Sequence, residues 1–199
     1  MPLYTLTNSR QIFQGAQDPL NELERVMSLR SYRILDTEFD PAFDRTTELA
    51  KSIFNVPIAV ISLVDSHRQW FKSVIGLDCR ETCRNVAFCA YAIKQTKPLV
   101  VYDATQDDRF KENTLVTGAP FIKFYAGAQL QTSDNFNIGT LCIIDTVTKT
   151  PEEFGEDKKK ILVSLAQGVV RELELFKSMA MARSSETLHG MKYSFRLTY

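Results

Sequence analysis

The feature that most constrains this chain is the run from Ile58 to Val64, which is apolar and largely β-branched with hardly a polar break. A strand of alternating polarity needs cover on one face, but a continuous apolar run needs cover on both. The fold must therefore set this segment at the centre of a sheet, with one layer of structure above it and another below. The next residues supply a partner strand. Asp65-Ser66-His67 has turn chemistry, Arg68 to Ile75 reads as the second strand of a hairpin, and Gly76 closes it.

A second hairpin follows the same logic. Phe124 to Leu130 and Ile138 to Ile144 flank the turn Ser133-Asp134-Asn135. Gly127 and Gly139 sit inside these strands, where glycine marks a bulge or a close backbone approach. Leu99 to Tyr102 reads as a short strand and Val86 to Gln95 as a short helix. Asp103 to Ile122 is irregular and long for a loop in a compact domain, which points to a lid or a binding loop.

Helical signals stand at both ends. Asp18-Pro19 and Asp40-Pro41 each combine an N-cap acceptor with a proline placed where its missing N–H costs nothing. Leu20, Leu23, Met27 and Ile34 fall near one face of the first helix, and Phe43, Thr46, Ala50 and Ile53 on one face of the second, which Asn55 and Pro57 end. After Thr150-Pro151, the residues Leu162, Ala166, Val169, Leu173, Phe176 and Ala180 recur at spacings of four and three, a short coiled-coil-like seam. Ile161 and Leu165 form a second stripe beside it, so that one stripe can cover the sheet while the other is left for a partner. The reading divides the chain into a polar tail over residues 1–17, a single domain over 18–183, and a fraying end over 184–199.

A length of 199 residues suits one domain with a sizeable core. Lys plus Arg balance Asp plus Glu at 24 each, so no bulk field attracts nucleic acid or an anionic membrane. Val56 to Val64 is too short to span a bilayer, and the first residues lack a secretory pattern, which makes a cytoplasmic protein with free thiols the expectation. Cys79, Cys83, Cys89 and Cys142 are irregularly spaced and only His67 and His189 accompany them, so no metal site is expected. Neither a Ser-His-Asp set nor a phosphate-cradling glycine loop is present, and the expectation is a chain with no catalytic machinery.

Particular motifs add to this. Asn21 to Arg25, Ile34 to Thr37, Pro57 to Asp65 with Arg68 to Lys72, and Val74 to Asp78 come first. Arg80-Glu81-Thr82, Phe88-Cys89-Ala90, Asp103-Ala104-Thr105 and Asp108-Arg109-Phe110 follow. Leu115 to Gly118, Phe124 to Ala128 and Gly139 to Asp145 complete the set. In this order, from Asn21 to Ala166, they resemble the GAF domain family, and within it the branch that precedes diguanylate cyclase, histidine kinase or phosphatase domains in signalling proteins. The resemblance implies an α+β fold: an antiparallel sheet of five or six strands between helical layers. The terminal helices pack on one face, and the irregular segment roofs a small-molecule pocket on the other. Three positions depart from the pattern of close relatives, with Tyr91 in place of histidine, Cys83 in place of proline and Ala87 in place of serine. The first replaces a group that titrates near neutral pH with one that normally does not.

Five residues are read as ligand-binding: Cys89, Tyr91, Asp103, Arg109 and Tyr125. Cys89, near the start of a short helix, is either a reactive thiol or a small buried hydrophobe. Asp103 and Arg109 bracket the irregular segment, and either pair with each other or hydrogen-bond a polar ligand. Strand alternation turns Phe124 and Tyr125 to opposite faces, so at most one meets the pocket, and Trp70 and Phe71 obey the same rule. Ala90 follows Cys89 where bilin-binding relatives often carry histidine, which argues against a tetrapyrrole; the cofactor is left unknown. Three functions compete. One is a small-molecule sensor that dimerises through its terminal helices and passes a signal to an effector. The second is a thiol enzyme of the free methionine sulfoxide reductase type, which requires Cys79, Cys83 and Cys89 to converge. The third is a dimerisation module with a filled pocket.

Overall fold

The computed structural model describes residues 15–196, with side chains described over 15–182. Most of the tail read over residues 1–17 lies outside them. Six strands form one antiparallel sheet: β1 (Ile58–Val64), β2 (Arg68–Ile75), β3 (Glu81–Cys83), β4 (Leu99–Val101), β5 (Phe124–Gln131) and β6 (Asn137–Asp145). Their order is β3-β2-β1-β6-β5-β4, so the two hairpins meet at the centre through β1 and β6. Every residue of β1 is buried, as its composition requires. Gly139 lies opposite Leu63, and a Cβ there would stand 2.1 Å from the Ser62 carbonyl oxygen, so the central pairing needs glycine.

Helices α2 (Pro41–Phe54) and α5 (Glu156–Arg196) cover one face. Asp40 accepts from the Ala42 N–H with Pro41 in the first turn, and Asn55 ends α2 in the left-handed conformation at φ 49°. Phe43, Phe54, Ala59, Ile61, Leu63, Trp70, Phe124, Leu141 and Ile143 pack here with Leu162, Ala166, Val169 and Leu173 of α5. The heptad-like seam of α5 is therefore spent within the chain. Leu162, Val169 and Leu173 are buried on the sheet, and Phe176 packs partly buried beside them, where Lys72 approaches its ring. Ile161, Leu175, Met179 and Met181 are the large apolar residues of α5 left exposed among the described side chains. The helix runs on to Arg196, past Ser184 where the sequence period stops.

The first helix, α1 (Glu22–Ser31), differs most from its sequence reading. It starts later than Asp18-Pro19, and its inward face is Arg25, Val26, Ser28 and Leu29, while Leu20, Leu23 and Met27 are exposed. A polar network turns it. Arg25 donates twice to Glu22 at 2.8 and 2.7 Å, Arg84 donates to the same carboxylate, and Asp18 pairs with Arg84 at 3.0 Å rather than capping the helix. Burial opposes ionisation of Glu22, but the hydrogen bonds from Arg25 and Arg84 prevail and lower its carboxyl from 4.5 to about 2. No helix among the described residues is long and apolar enough to cross a membrane.

Candidate functional site

The other face of the sheet is roofed by the short helices α3 (Phe88–Ala92) and α4 (Thr114–Thr117) and the segments around them. The roof is pinned by packing and by side-chain amides: Gln129 and Asn137 donate to the Ala92 and Ile93 carbonyls at the end of α3, and Asn113 acts from the roof itself. Phe88 and Phe110 stack with ring centroids 3.9 Å apart. Asn113, fully buried, caps α4 through the Leu115 N–H at 2.9 Å and donates to the Val86 carbonyl at 3.0 Å, which ties α4 to the turn leading into α3.

Between roof and sheet lies a cavity of about 420 Å³. Val60, Phe71, Tyr125, Cys142 and Ile144 form its floor, Phe88, Cys89, Leu115 and Ile122 its roof, and Gly76 to Cys79 its rim. Strand alternation delivers the floor. Val60, Phe71 and Tyr125 face the cavity, and their neighbours Ile61, Trp70 and Phe124 face the helices. Among the described residues that line it, none is Lys, Arg or His, and Asp78 at the rim is the one charged group. Its polar wall is Gln69, which accepts from Ser62 at 3.1 Å and donates to Thr82 at 2.7 Å.

Where the roof meets the floor, the sulfur of Cys89 collects polar neighbours. Cys142 Sγ lies 3.9 Å away, Thr140 Oγ1 3.2 Å and Tyr125 Oη 3.4 Å. Tyr125 reaches this point because its ring lies over Gly127, where an added Cβ would stand 2.2 Å from the phenolic oxygen. Donation from Cys142 lowers the Cys89 thiol; burial opposes this, and the Thr140 and Tyr125 hydroxyls add to the lowering. The Cys142 thiol is raised well above its ordinary value, first because it is the donor to Cys89 and then by burial. Burial and the nearby sulfurs likewise raise Tyr125, so the phenol keeps its proton and stays a donor. The pair is thus polarised, with Cys89 the thiol that ionises first.

Of the five residues read as ligand-binding, the structure puts Cys89 and Tyr125 on the cavity and the other three elsewhere. Tyr91 stands behind the roof with its ring edge on Phe110, centroids 4.8 Å apart. Asp103 accepts from the Thr105 N–H at 2.9 Å and the Thr105 hydroxyl at 2.6 Å, which makes it a turn residue. Arg109 forks onto Asp107 at 2.9 and 2.6 Å, so it does not pair with Asp103. A short-range partner two residues away won over the longer one because it costs less chain entropy to reach. The triad Cys79, Cys83 and Cys89 does not assemble: Cys83 is exposed off the cavity, and Cys142 takes the place beside Cys89. Cys142 and Thr140 were missed, although their shared parity on β6 carries the signal.

A six-stranded antiparallel sheet with paired helices on one face and a roofed cavity on the other is a small α+β domain of one recurring architecture. The GAF domain model matches residues 38–173, and the chain belongs to the GAF domain family. It is 40% identical over 175 residues to the cyclic di-GMP phosphodiesterase PA2567 of Pseudomonas aeruginosa, a match that takes in 88% of this chain and 27% of that protein. The chain thus spans about a quarter of that relative's length. The fold is shared with the GAF domain of an Acinetobacter phosphoenolpyruvate-protein phosphotransferase (TM-score 0.54, 15% identity, 80% of this chain and 98% of that one). It is shared as well with the free methionine-R-sulfoxide reductase of Neisseria meningitidis (TM-score 0.55, 18% identity, 85% and 98%). The chain is therefore a GAF domain of the kind found in signalling proteins. The expectation of a chain without catalytic machinery is overturned here, because the 40% identical relative is named a phosphodiesterase and the fold also serves reductases. That expectation rested on missing local motifs. Cys89 and Cys142 are 53 residues apart and meet only through packing, so no local motif announces the pair.

Proposed function

We propose that this chain is the regulatory domain of a cyclic di-GMP phosphodiesterase, and that it binds a small, largely apolar, uncharged molecule in the cavity beneath α3 and α4. The observation that carries the reading is the cavity itself. Its volume lies within the range of ligand pockets, and apolar walls with a few convergent polar groups are what such pockets present. The same lining speaks against cyclic di-GMP as the bound signal, since a dianionic dinucleotide needs cationic partners and the charged rim residue is Asp78. Gln69, Thr82 and the Tyr125–Cys89 cluster orient the ligand through hydrogen bonds.

Thermal unfolding against a panel of neutral apolar molecules, with cyclic di-GMP alongside, tests this. A ligand at a hundred times its Kd stabilises by about 2.7 kcal/mol, and Ile122→Trp, which fills the cavity, should abolish the shift. A shift given by cyclic di-GMP alone would reverse the assignment.

Signal transfer runs through the terminal helices of a two-fold dimer. The exposed apolar residues Ile161, Leu175 and Met179 of α5, Leu23 and Met27 of α1, and Leu20 just before it support a second copy as the partner. Tyr32, just after α1, donates to Glu174 at 2.6 Å and so ties the two helices together. A helix of 41 residues is about 60 Å long, enough to carry a displacement from the domain to an effector beyond it. Leu175→Glu with Met179→Glu should convert the dimer to monomer in light scattering. A monomeric wild-type protein refutes the arrangement.

A further inference from the structure

We infer that Cys89 and Cys142 form a redox centre, in which a small organic hydroperoxide admitted by the cavity is reduced as the two thiols close to a disulfide. Two thiols line one cavity, Cys89 from the roof and Cys142 from the floor, with their sulfurs 3.9 Å apart. The hydroxyls of Thr140 and Tyr125 stand 3.2 and 3.4 Å from the Cys89 sulfur, close enough to donate to a thiolate there, and this makes Cys89 the nucleophile and Cys142 its resolving partner. The cavity leads from a rim of exposed residues, Gly76, Asp78 and Cys79, to that sulfur, so a molecule of few atoms has a path to a thiol that bulk solvent hardly touches. The apolar walls select an alkyl or aryl hydroperoxide over a polar oxidant.

The chemistry balances. The Cys89 thiolate attacks the terminal oxygen of the hydroperoxide; an S–O bond forms, the O–O bond breaks, and the alkoxide leaves and takes up the proton that Cys89 released, giving an alcohol. Cys142 then attacks the Cys89 sulfenic acid. The S–S bond forms, the S–O bond breaks, and water departs with the Cys142 proton. Two thiols have lost two electrons and the hydroperoxide has gained them, and a dithiol reductant restores the start. Bringing the sulfurs from 3.9 Å to the covalent distance of about 2.05 Å draws α3 onto β6 and narrows the cavity. Oxidation and ligand binding are then mutually exclusive states of one roof. Cys79 and Cys83 form the internal control, since both are exposed, and burial and Asp78 raise the Cys79 thiol.

The test is to treat the purified protein with cumene hydroperoxide and map its cysteines by mass spectrometry after alkylation without reduction. The expected product is a Cys89–Cys142 cross-linked peptide lacking two hydrogens, reversed by dithiothreitol, and formed at neutral pH at least ~10-fold faster than Cys79 or Cys83 is oxidised. Cys142→Ser should stop at a Cys89 sulfenic acid that dimedone traps. Oxidation of Cys79 or Cys83 with Cys89 and Cys142 left intact overturns the proposal, and this result needs no variant to fold. Val60→Trp, with its fold verified by circular dichroism, should slow the reaction ~10-fold or more by filling the cavity that the hydroperoxide must occupy. An unchanged rate in that variant refutes the cavity as the route.

Discussion

The two faces of the sheet are built from the same strands and do opposite work. On the helical face, Ala59, Ile61, Leu63, Leu141 and Ile143 meet α2 and α5 in a continuous apolar core that closes with the rings of Phe54, Phe124 and Phe154. On the cavity face, the intervening residues include Ser62, Gln69, Thr140 and Cys142, and the roof stands off far enough to leave about 420 Å³. One face is packed as a structural core, and the other gives up packing for polar atoms and space. Stability and chemistry are thereby separated by the thickness of one strand.

The largest expected effect breaks the packed face. Leu141→Ala should cost about 2–5 kcal/mol in urea unfolding, whereas Ile144→Ala on the cavity wall should cost only about 1–2, because the side chain already lacks partners on one side. Equal losses would show that the cavity is closed in solution. Next comes the seam between the faces, where Glu22 of α1 holds Arg84 of the segment leading into the roof. Glu22→Gln should destabilise by about 1–3 kcal/mol, since two guanidinium groups lose their shared anion. Its pH dependence has a fixed sign. The folded carboxyl is depressed from 4.5 to about 2, so its contribution is complete above pH 4.5 and disappears as pH falls towards 2. An acid-unfolding curve of the variant that overlays the wild type throughout this window contradicts the network.

Smaller in stability but sharper in chemistry is Gly127→Ala. A Cβ at 2.2 Å must push the Tyr125 hydroxyl off Cys89, at about 1–2 kcal/mol, with Cys89 alkylation by iodoacetamide slowed at neutral pH. Retained reactivity would remove Tyr125 from the thiol's environment. The smallest effect is expected at Arg109→Ala. Its partner is Asp107 two residues away at the surface, and unfolding should change by less than about 0.5 kcal/mol with ligand-induced thermal shifts untouched.

How far the site was legible follows the range of the interactions. Strand parity already separated Phe124 from Tyr125 and Trp70 from Phe71, because alternation is a property of the local backbone. Asp40-Pro41 and Asn55 bound α2 for the same reason. Parity did not say which face had room. Asp103 and Arg109, read as pairing with each other or with a ligand because they bracket the irregular segment, each have a partner within two residues instead. The face of α1 was misread because a hydrophobic criterion cannot anticipate that Arg25 and Ser28 turn inward to meet Glu22 and Asp134.

The sequence by itself determined the layers. A fully apolar β1 demands cover on both sides, two hairpins demand an antiparallel sheet, and the α5 period demands a surface to lie on. Those are consequences of side-chain hydrophobicity repeated at a backbone period, and they survive without knowledge of any distant contact. Only the tertiary structure decided that the α5 seam is covered within the chain, that Cys142 rather than Cys79 or Cys83 faces Cys89, and that Gly127 makes space for the Tyr125 hydroxyl. Each of these depends on residues distant in sequence, or on which side of the sheet is roofed, being settled to within an ångström or two by close packing, and no local pattern in the chain encodes that distance.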